Sequence, residues 1–313
     1  MKISVLDAAT LGDDISFEKI TKFGELKIFN NTNDDEFEDR AKDSNILIIN
    51  KVKLTREKLA SCKSLKLICV AATGYDNIDV DYCEENNIAV CNVAGYSTYS
   101  VSQIAIAMLL SLVCHISEYD EFSKSGEYTK SGIQNRLKPV YYEMFGKTLG
   151  IIGMGNIGSQ VAKVGEALGC RVIYTRKTED ENAVSLDTLL KESDYISIHT
   201  PLTEKTRGMI GEEEINKMAK KPILINTSRG AVCDEAAIAE AVLSGKLSGF
   251  GTDVYSVEPF PEGHPYSKLK LCKNVLLTPH MGWGAYESRV RCIDRIAKNI
   301  ESFINGDKKG RIV

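Results

Sequence analysis

Apolar runs rich in Val and Ile recur at residues 2–7, 26–30, 46–50, 66–72 and 88–93, separated by stretches of helical spacing. Runs that stay apolar along their whole length, alternating with helical segments, predict parallel strands covered on both faces. A second series follows at 148–153, 171–175, 194–199, 222–227, 249–254 and 275–279. The simplest account is an α/β chain with two doubly wound parallel-sheet domains. Between the series a single helix is expected over 101–123, then irregular chain to 145 containing Gly126, Gly132 and Pro139. After the last strand, Val290, Ile293, Ile296, Ala297, Ile300 and Ile304 repeat at helical spacing within 284–304. A chain that crosses back there would complete the first domain, with a hinge near Gly282 and Gly284. The expected domains are therefore 1–97 with 284–313, and 98–283.

Length agrees with this division, because 313 residues exceed the size at which one core stops growing. The formal charge of −4, with Lys and Arg scattered, marks no nucleic-acid surface. The longest apolar run, from Ile104 to Cys114, is interrupted by Ser111 and is shorter than the roughly 20 residues that span a bilayer. No membrane segment is expected. The first residues read as a strand and not as a secretory leader. Nine dispersed cysteines, none at CxxC spacing, suggest free thiols in a reducing, cytoplasmic setting.

The chemistry-bearing positions begin at Gly153-Met154-Gly155-Asn156-Ile157-Gly158, which follows the apolar run ending at Ile152 and opens a helical pattern. This strand, glycine turn and helix form the setting of a dinucleotide fingerprint and make the second domain a Rossmann domain. Gly153 permits the turn, Gly155 lets a pyrophosphate approach the backbone, and Gly158 lets helix and strand pack closely. The helix N-terminus offers N–H groups to the anion. The next strand ends in Thr175-Arg176-Lys177, where an NAD-selective site places an acid that binds the ribose hydroxyls. A hydroxyl followed by two cations suits a 2′-phosphate, so NADP(H) is the expected cofactor. NAD(H) is the alternative, with Glu179 or Asp180 reaching back to the ribose.

Three polar residues follow apolar strands in the second half: Arg229, Glu258 and His280. Open α/β sheets bind ligands at the carboxyl ends of their strands. Reducing a 2-keto acid requires a cation for the carboxylate, an acid to protonate the emerging alkoxide, and a carboxylate to keep that acid protonated. Arg, His and Glu have those properties.

At this point the sequence resembles the D-isomer-specific 2-hydroxyacid dehydrogenase family. The matching stretches are Ala72-Thr73-Gly74-Tyr75-Asp76-Asn77-Ile78-Asp79, Gly146-Lys147-Thr148-Leu149-Gly150 before the glycine motif, and Asn226-Thr227-Ser228-Arg229-Gly230. Asp253-Val254 through Glu258-Pro259 and Thr278-Pro279-His280 complete the set. The resemblance covers nearly the full length. It implies a flavodoxin-like substrate domain before the Rossmann domain, and hydride transfer between NAD(P)H and a 2-keto acid to give a D-2-hydroxy acid. It also implies Arg229, Glu258 and His280 as the catalytic set, and substrate carboxylate binding by the backbone at Ala72, Thr73 and Gly74 beside Arg229. Asp253 would meet the nicotinamide carboxamide, and Thr200, Pro201, Thr227 and Gly282 would line the cofactor cleft. Family members are usually homodimers, with the segment near 98–145 at the subunit interface. Val93-Ala94-Gly95-Tyr96-Ser97-Thr98, Ser102-Gln103 and Trp283 look like the glycerate dehydrogenase (hydroxypyruvate/glyoxylate reductase) branch. Trp283 would then pack against a small polar substrate or act as an interdomain wedge. Ile104 departs from the branch's commonest form, where His follows the Gln.

Two other readings compete. An NAD(P)-sensing binding protein or corepressor would keep the dinucleotide motif without needing turnover, against which the intact Arg, Glu and His set argues. A zinc alcohol dehydrogenase would need metal ligands at close spacing. His115, His199 and His264 are instead expected in core, strand-end and loop roles.

Overall fold

The computed structural model describes residues 1–176 and 180–313. The chain divides into two compact units, Met1–Ser97 with Trp283–Val313, and Thr98–Gly282. The second break precedes Trp283, one residue earlier than the sequence pattern suggests.

In the first unit five parallel strands, β1 (Lys2–Val5), β2 (Glu25–Ile28), β3 (Ile46–Ile49), β4 (Leu67–Val70) and β5 (Ala89–Cys91), are ordered β2-β1-β3-β4-β5. This is the flavodoxin-like order. Strand alternation sends Ile3, Val5, Ile46, Ile48, Leu67 and Cys69 to one face, and Leu47, Ile49, Ile68 and Val70 to the other. The second face is covered by Phe37, Leu59 and Cys83 from the crossover helices. The first is covered by the terminal helix Tyr286–Ile304 through Cys292, Ile293, Ile296, Ala297 and Ile300. Each of these fully buried isoleucines stabilises the unit by roughly 1.5–3 kcal/mol. Ile296→Asp would put a carboxylate into that seam.

In the second unit six parallel strands follow: β6 (Thr148–Ile152), β7 (Arg171–Thr175), β8 (Tyr195–Ile198), β9 (Ile223–Asn226), β10 (Gly249–Thr252) and β11 (Val275–Leu277). Their order is β11-β10-β9-β8-β6-β7, a Rossmann-type sheet that reverses direction at β6. Among the described residues no strand lies outside β7. Helix Thr98–Val113 packs Ala105, Met108, Leu109 and Leu112 on one face of this sheet. Helix Glu235–Leu243 buries Ile238, Ala239 and Val242 on the other.

The single helix expected over 101–123 is instead two, Thr98–Val113 and Ile116–Lys124, bent by 65°. His115 causes the break. Its φ of 51° lies in the left-handed region, which cannot continue a right-handed helix, and its Nδ1 pairs with Glu118 at 3.0 Å. It is a half-buried breaker, not the core residue expected. Among the described residues no single helix is long and apolar enough to cross a membrane.

Candidate active site

The glycine motif lies where the second sheet reverses. Gly153 turns with φ 100°, and a side chain there would sit 2.7 Å from the Thr200 amide nitrogen. The turn is therefore pressed against Thr200, the residue before Pro201 at the end of β8. Both Gly153 and Met154 donate backbone N–H bonds to the Thr175 carbonyl, at 3.2 and 3.1 Å, which ties the loop to the end of β7. At Gly158 a Cβ would meet the Gly153 carbonyl oxygen at 2.3 Å, so helix Asn156–Ala167 starts tight on its own loop. Gly155 is different: a Cβ there meets nothing within 4 Å. Its side faces open space at the helix N-terminus, where the N–H groups of Asn156, Ile157 and Gly158 have no carbonyl of an earlier helical turn to bind. The buried Thr227 Oγ1, at the end of β9, has no hydrogen-bond partner among the described residues. An open glycine cradle after β6 and an orphaned hydroxyl after β9, at the carboxyl ends of one sheet with β8 between them, fit a bound dinucleotide.

At the end of β7, Arg176 pairs with Asp180 at 3.4 Å, and the Tyr174 hydroxyl donates to the same carboxylate at 3.0 Å. The Asn182 N–H, then the Tyr174 hydroxyl and Arg176, hold the Asp180 carboxyl below its usual range. An acid thus stands beside the cation that the sequence assigned to a 2′-phosphate. Lys177 and Glu179 lie outside the described residues.

The three polar strand-end residues sit on β9, β10 and β11, which are neighbours in the sheet. Asn226, buried at the end of β9, shapes the turn that carries Arg229. Its Nδ2 donates to the Arg229 carbonyl at 3.0 Å, and its Oδ1 accepts from the Ser228 N–H at 3.0 Å. Arg229 itself is half-buried, and its Nη1 donates to the Ser228 carbonyl at 2.9 Å. At Gly230 a Cβ would fall 2.0 Å from the Tyr255 carbonyl carbon. The Arg229 turn therefore packs directly under the loop leading to Glu258.

Glu258 and His280 meet. His280 Nδ1 lies 2.6 Å from Glu258 Oε2, while Glu258 Oε1 accepts the Tyr255 N–H at 3.1 Å. His280 Nε2 makes no hydrogen bond among the described residues, and the side chain stays 22% exposed. With Nδ1 committed to the carboxylate, Nε2 is the nitrogen left to exchange a proton.

His280 adopts φ 53°, a left-handed conformation that costs roughly 1–3 kcal/mol and persists only where the surroundings over-determine it. Asp253 supplies that constraint. Its Oδ1 accepts from the Met281 N–H at 2.8 Å and the Thr278 hydroxyl at 2.6 Å, and its Oδ2 accepts from the Gly282 N–H at 2.7 Å. Asp253 is 2% exposed, so its carboxylate is largely spent on this loop. The family resemblance aims it at a nicotinamide carboxamide; the anchoring contacts are not legible in the sequence because two of the three donors are backbone groups. Gly282, read as a cleft residue, packs against the same carboxylate, where a Cβ would come within 2.8 Å of Oδ2.

In the first unit, Ala72, Thr73 and Gly74 form the loop after β4. It is held by the Val93 N–H donating to the Ala72 carbonyl at 3.1 Å and by Asn92 Nδ2 donating to the Thr73 carbonyl at 2.7 Å. Trp283 packs partly buried on the first unit's core, 6.4 Å from the Tyr96 ring.

A dinucleotide cradle and an imidazole–carboxylate pair on one row of strand ends define a pyridine-nucleotide-dependent oxidoreductase. Residues 106–282 match the model of the D-isomer specific 2-hydroxyacid dehydrogenase NAD-binding domain. The chain belongs to the D-isomer-specific 2-hydroxyacid dehydrogenase family. It is 41% identical over 264 residues to a glyoxylate reductase of Thermococcus litoralis, covering 82% of this chain and 78% of that protein. It is 35% identical to a hydroxypyruvate reductase of Blautia hydrogenotrophica, covering 98% of each. Among solved structures it resembles the D-lactate dehydrogenase of Aquifex aeolicus complexed with NAD and lactic acid. That match has a TM-score of 0.88 and 31% identity, and covers 100% of this chain and 99% of that one.

Proposed function

We propose that this chain reduces a small 2-keto acid, hydroxypyruvate or glyoxylate, to the D-2-hydroxy acid, with Arg229, Glu258 and His280 as its catalytic residues. The observation that carries the reading is the 2.6 Å contact between His280 Nδ1 and Glu258, which leaves Nε2 to deliver a proton. The nicotinamide of a dinucleotide held in the glycine cradle would supply the hydride. Arg229 binds the substrate carboxylate, its guanidinium fixing the plane of the keto acid. His280 Nε2 protonates the carbonyl oxygen as it becomes an alkoxide, and Glu258 stabilises the imidazolium before that transfer. In the reverse direction Nε2 takes the hydroxyl proton. In the first unit, the backbone of Ala72, Thr73 and Gly74 is assigned to carboxylate binding. The relatives that act as glyoxylate and hydroxypyruvate reductases support the substrate class.

The cofactor we assign is NADP(H), on the ground that β7 ends in Thr175 and Arg176 without an acid in register. The Asp180 carboxylate beside Arg176 offsets part of that cation's charge and keeps NADH as the competing cofactor. Thr175→Asp with Arg176→Ala should raise the ratio of kcat/KM for NADH over NADPH at least tenfold; an unchanged ratio would refute the assignment.

We also assign a homodimer. Ile133, Leu137, Val140, Tyr141, Tyr142 and Phe145 are all more than half exposed within one short segment, and grouped exposed apolar side chains mark interaction surfaces. Light scattering should return twice the chain mass of 34.5 kDa. Cytoplasmic placement suits the free state of all nine cysteines.

A further inference from the structure

Glu235 and His264 form a second carboxylate–imidazole pair that the proposed reaction does not use. Glu235 opens helix Glu235–Leu243, whose start is capped by Asp234 accepting from the Ala236 and Ala237 N–H groups at 3.0 and 3.1 Å. His264 Nε2 lies 2.9 Å from Glu235 Oε2, with the two side chains only 5% and 9% exposed. His264 Nδ1 accepts the Tyr266 N–H at 3.2 Å, which puts the ring proton on Nε2, pointing at Glu235. The imidazole is boxed by Phe260, Tyr266 and Tyr255, with centroids at 4.9, 5.0 and 6.1 Å. A carboxylate buried among aromatic rings is costly unless its oxygens are satisfied.

The remaining donors show what the pair holds. Glu235 Oε1 accepts the Ser256 N–H at 2.8 Å, and Oε2 accepts the Ser256 hydroxyl. Ser256 lies two residues before Glu258, and its neighbour Tyr255 is bonded at both ends to the catalytic loops. The Tyr255 N–H donates to Glu258 Oε1 at 3.1 Å, and its hydroxyl donates to the Thr278 carbonyl at 2.9 Å. On the other side the same backbone is pressed against Gly230. Tyr255 and Ser256 are thus gripped between the Arg229 turn and the Glu235 helix. Burial, then the Asp253, Glu258 and Glu235 carboxylates, push the Tyr255 phenol up to about 12, so it stays a neutral donor across the working pH range.

We propose that Glu235 and His264 are positioning residues: through Ser256 they hold the loop that aims Glu258 at His280, and so set the rate of proton transfer without touching a reacting atom. This rests on the assignment of Glu258 to His280 made above. The effect of the pair should therefore pass through Glu258 and vanish when Glu258 no longer acts.

A double-mutant cycle on the full chain tests it, using Glu235→Gln, Glu258→Gln and the double variant, with kcat, KM, NADPH Kd and melting temperature measured for each. Contacting residues in one network couple strongly enough for Glu235→Gln to lower kcat about tenfold in the wild-type background. KM for the keto acid and Kd for NADPH should stay within twofold. In the Glu258→Gln background the same substitution should change kcat less than twofold. Equal losses of kcat in both backgrounds, or unchanged kcat in a folded Glu235→Gln protein, would overturn the proposal and leave the pair a structural brace. Wild-type kcat in Glu258→Gln alone would overturn it differently, by removing the role of Glu258 on which it depends. If Glu235→Gln does not fold, Ser256→Ala carries the same comparison, with a smaller loss of kcat that again must disappear without Glu258.

Discussion

Asp253→Asn separates anchoring of the His280 loop from direct contact with the cofactor. The substitution preserves shape but turns one acceptor into an NH2 group. Because both oxygens accept bonds from the 278–282 loop, whichever one is replaced faces a donor. At least one charge-assisted hydrogen bond is lost, worth about 1.5–3 kcal/mol, and His280 loses part of what holds it at φ 53°. If that energy is needed to hold the imidazole in place, kcat falls by about 10- to 100-fold. The melting transition of the second unit should fall by about 3–12 °C, at roughly 2–4 °C per kcal/mol for a unit of this size. The assays are steady-state kinetics of NADPH oxidation with a 2-keto acid, calorimetry, and NADPH binding by fluorescence. Anchoring predicts loss of kcat and stability with NADPH Kd within about twofold. A wild-type melting temperature with a large rise in Kd would instead place Asp253 on the cofactor and refute the argument.

Four further outcomes follow from the same geometry. His280→Ala should lower kcat by about 10²- to 10⁴-fold with NADPH binding intact; turnover near wild type would remove His280 as the general acid. Gly155→Val should abolish NADPH binding while leaving the melting temperature close to wild type, because the new side chain enters open space. Gly158→Ala should destabilise the unit, because its Cβ meets the Gly153 carbonyl at 2.3 Å; the reverse ranking in calorimetry would contradict the packing described. Burial pushes His199 down to about 3, and its Nδ1 has no partner among the described residues. The folded protein therefore resists a proton that the unfolded chain takes up below about pH 6.5. Stability should be lost as pH falls from about 6.5 towards 3, by up to about 1.4 kcal/mol per pH unit from this group. Denaturant titrations of His199→Gln should show a shallower acid decline than wild type, and parallel curves would refute the attribution.

Most strands were legible in the sequence because parallel strands buried on both faces are unbroken apolar runs. Residues 46–50 and 222–227 contain β3 and β9 almost to the residue. The glycine motif and the residues Arg229, Glu258 and His280 were legible for a related reason, since each sits just past such a run. The break at His115 was not, because neither Gly nor Pro marks it and the left-handed turn is held by a local bond to Glu118. Also hidden was the use of Asp253, whose partners include backbone N–H groups 28 and 29 residues away. His264 read as a loop histidine because its carboxylate, Glu235, lies 29 residues upstream on a helix. Periodicity identifies elements; it does not show which buried carboxylate faces which loop.

The central claim, that this site reduces small 2-keto acids, is tested most directly by initial rates of NADPH and NADH oxidation with hydroxypyruvate, glyoxylate, pyruvate and bulkier 2-keto acids. Rapid turnover of hydroxypyruvate or glyoxylate, yielding the D-hydroxy acid and favouring NADPH, is the predicted result. Dinucleotide binding without oxidation by any of these acids would contradict the account.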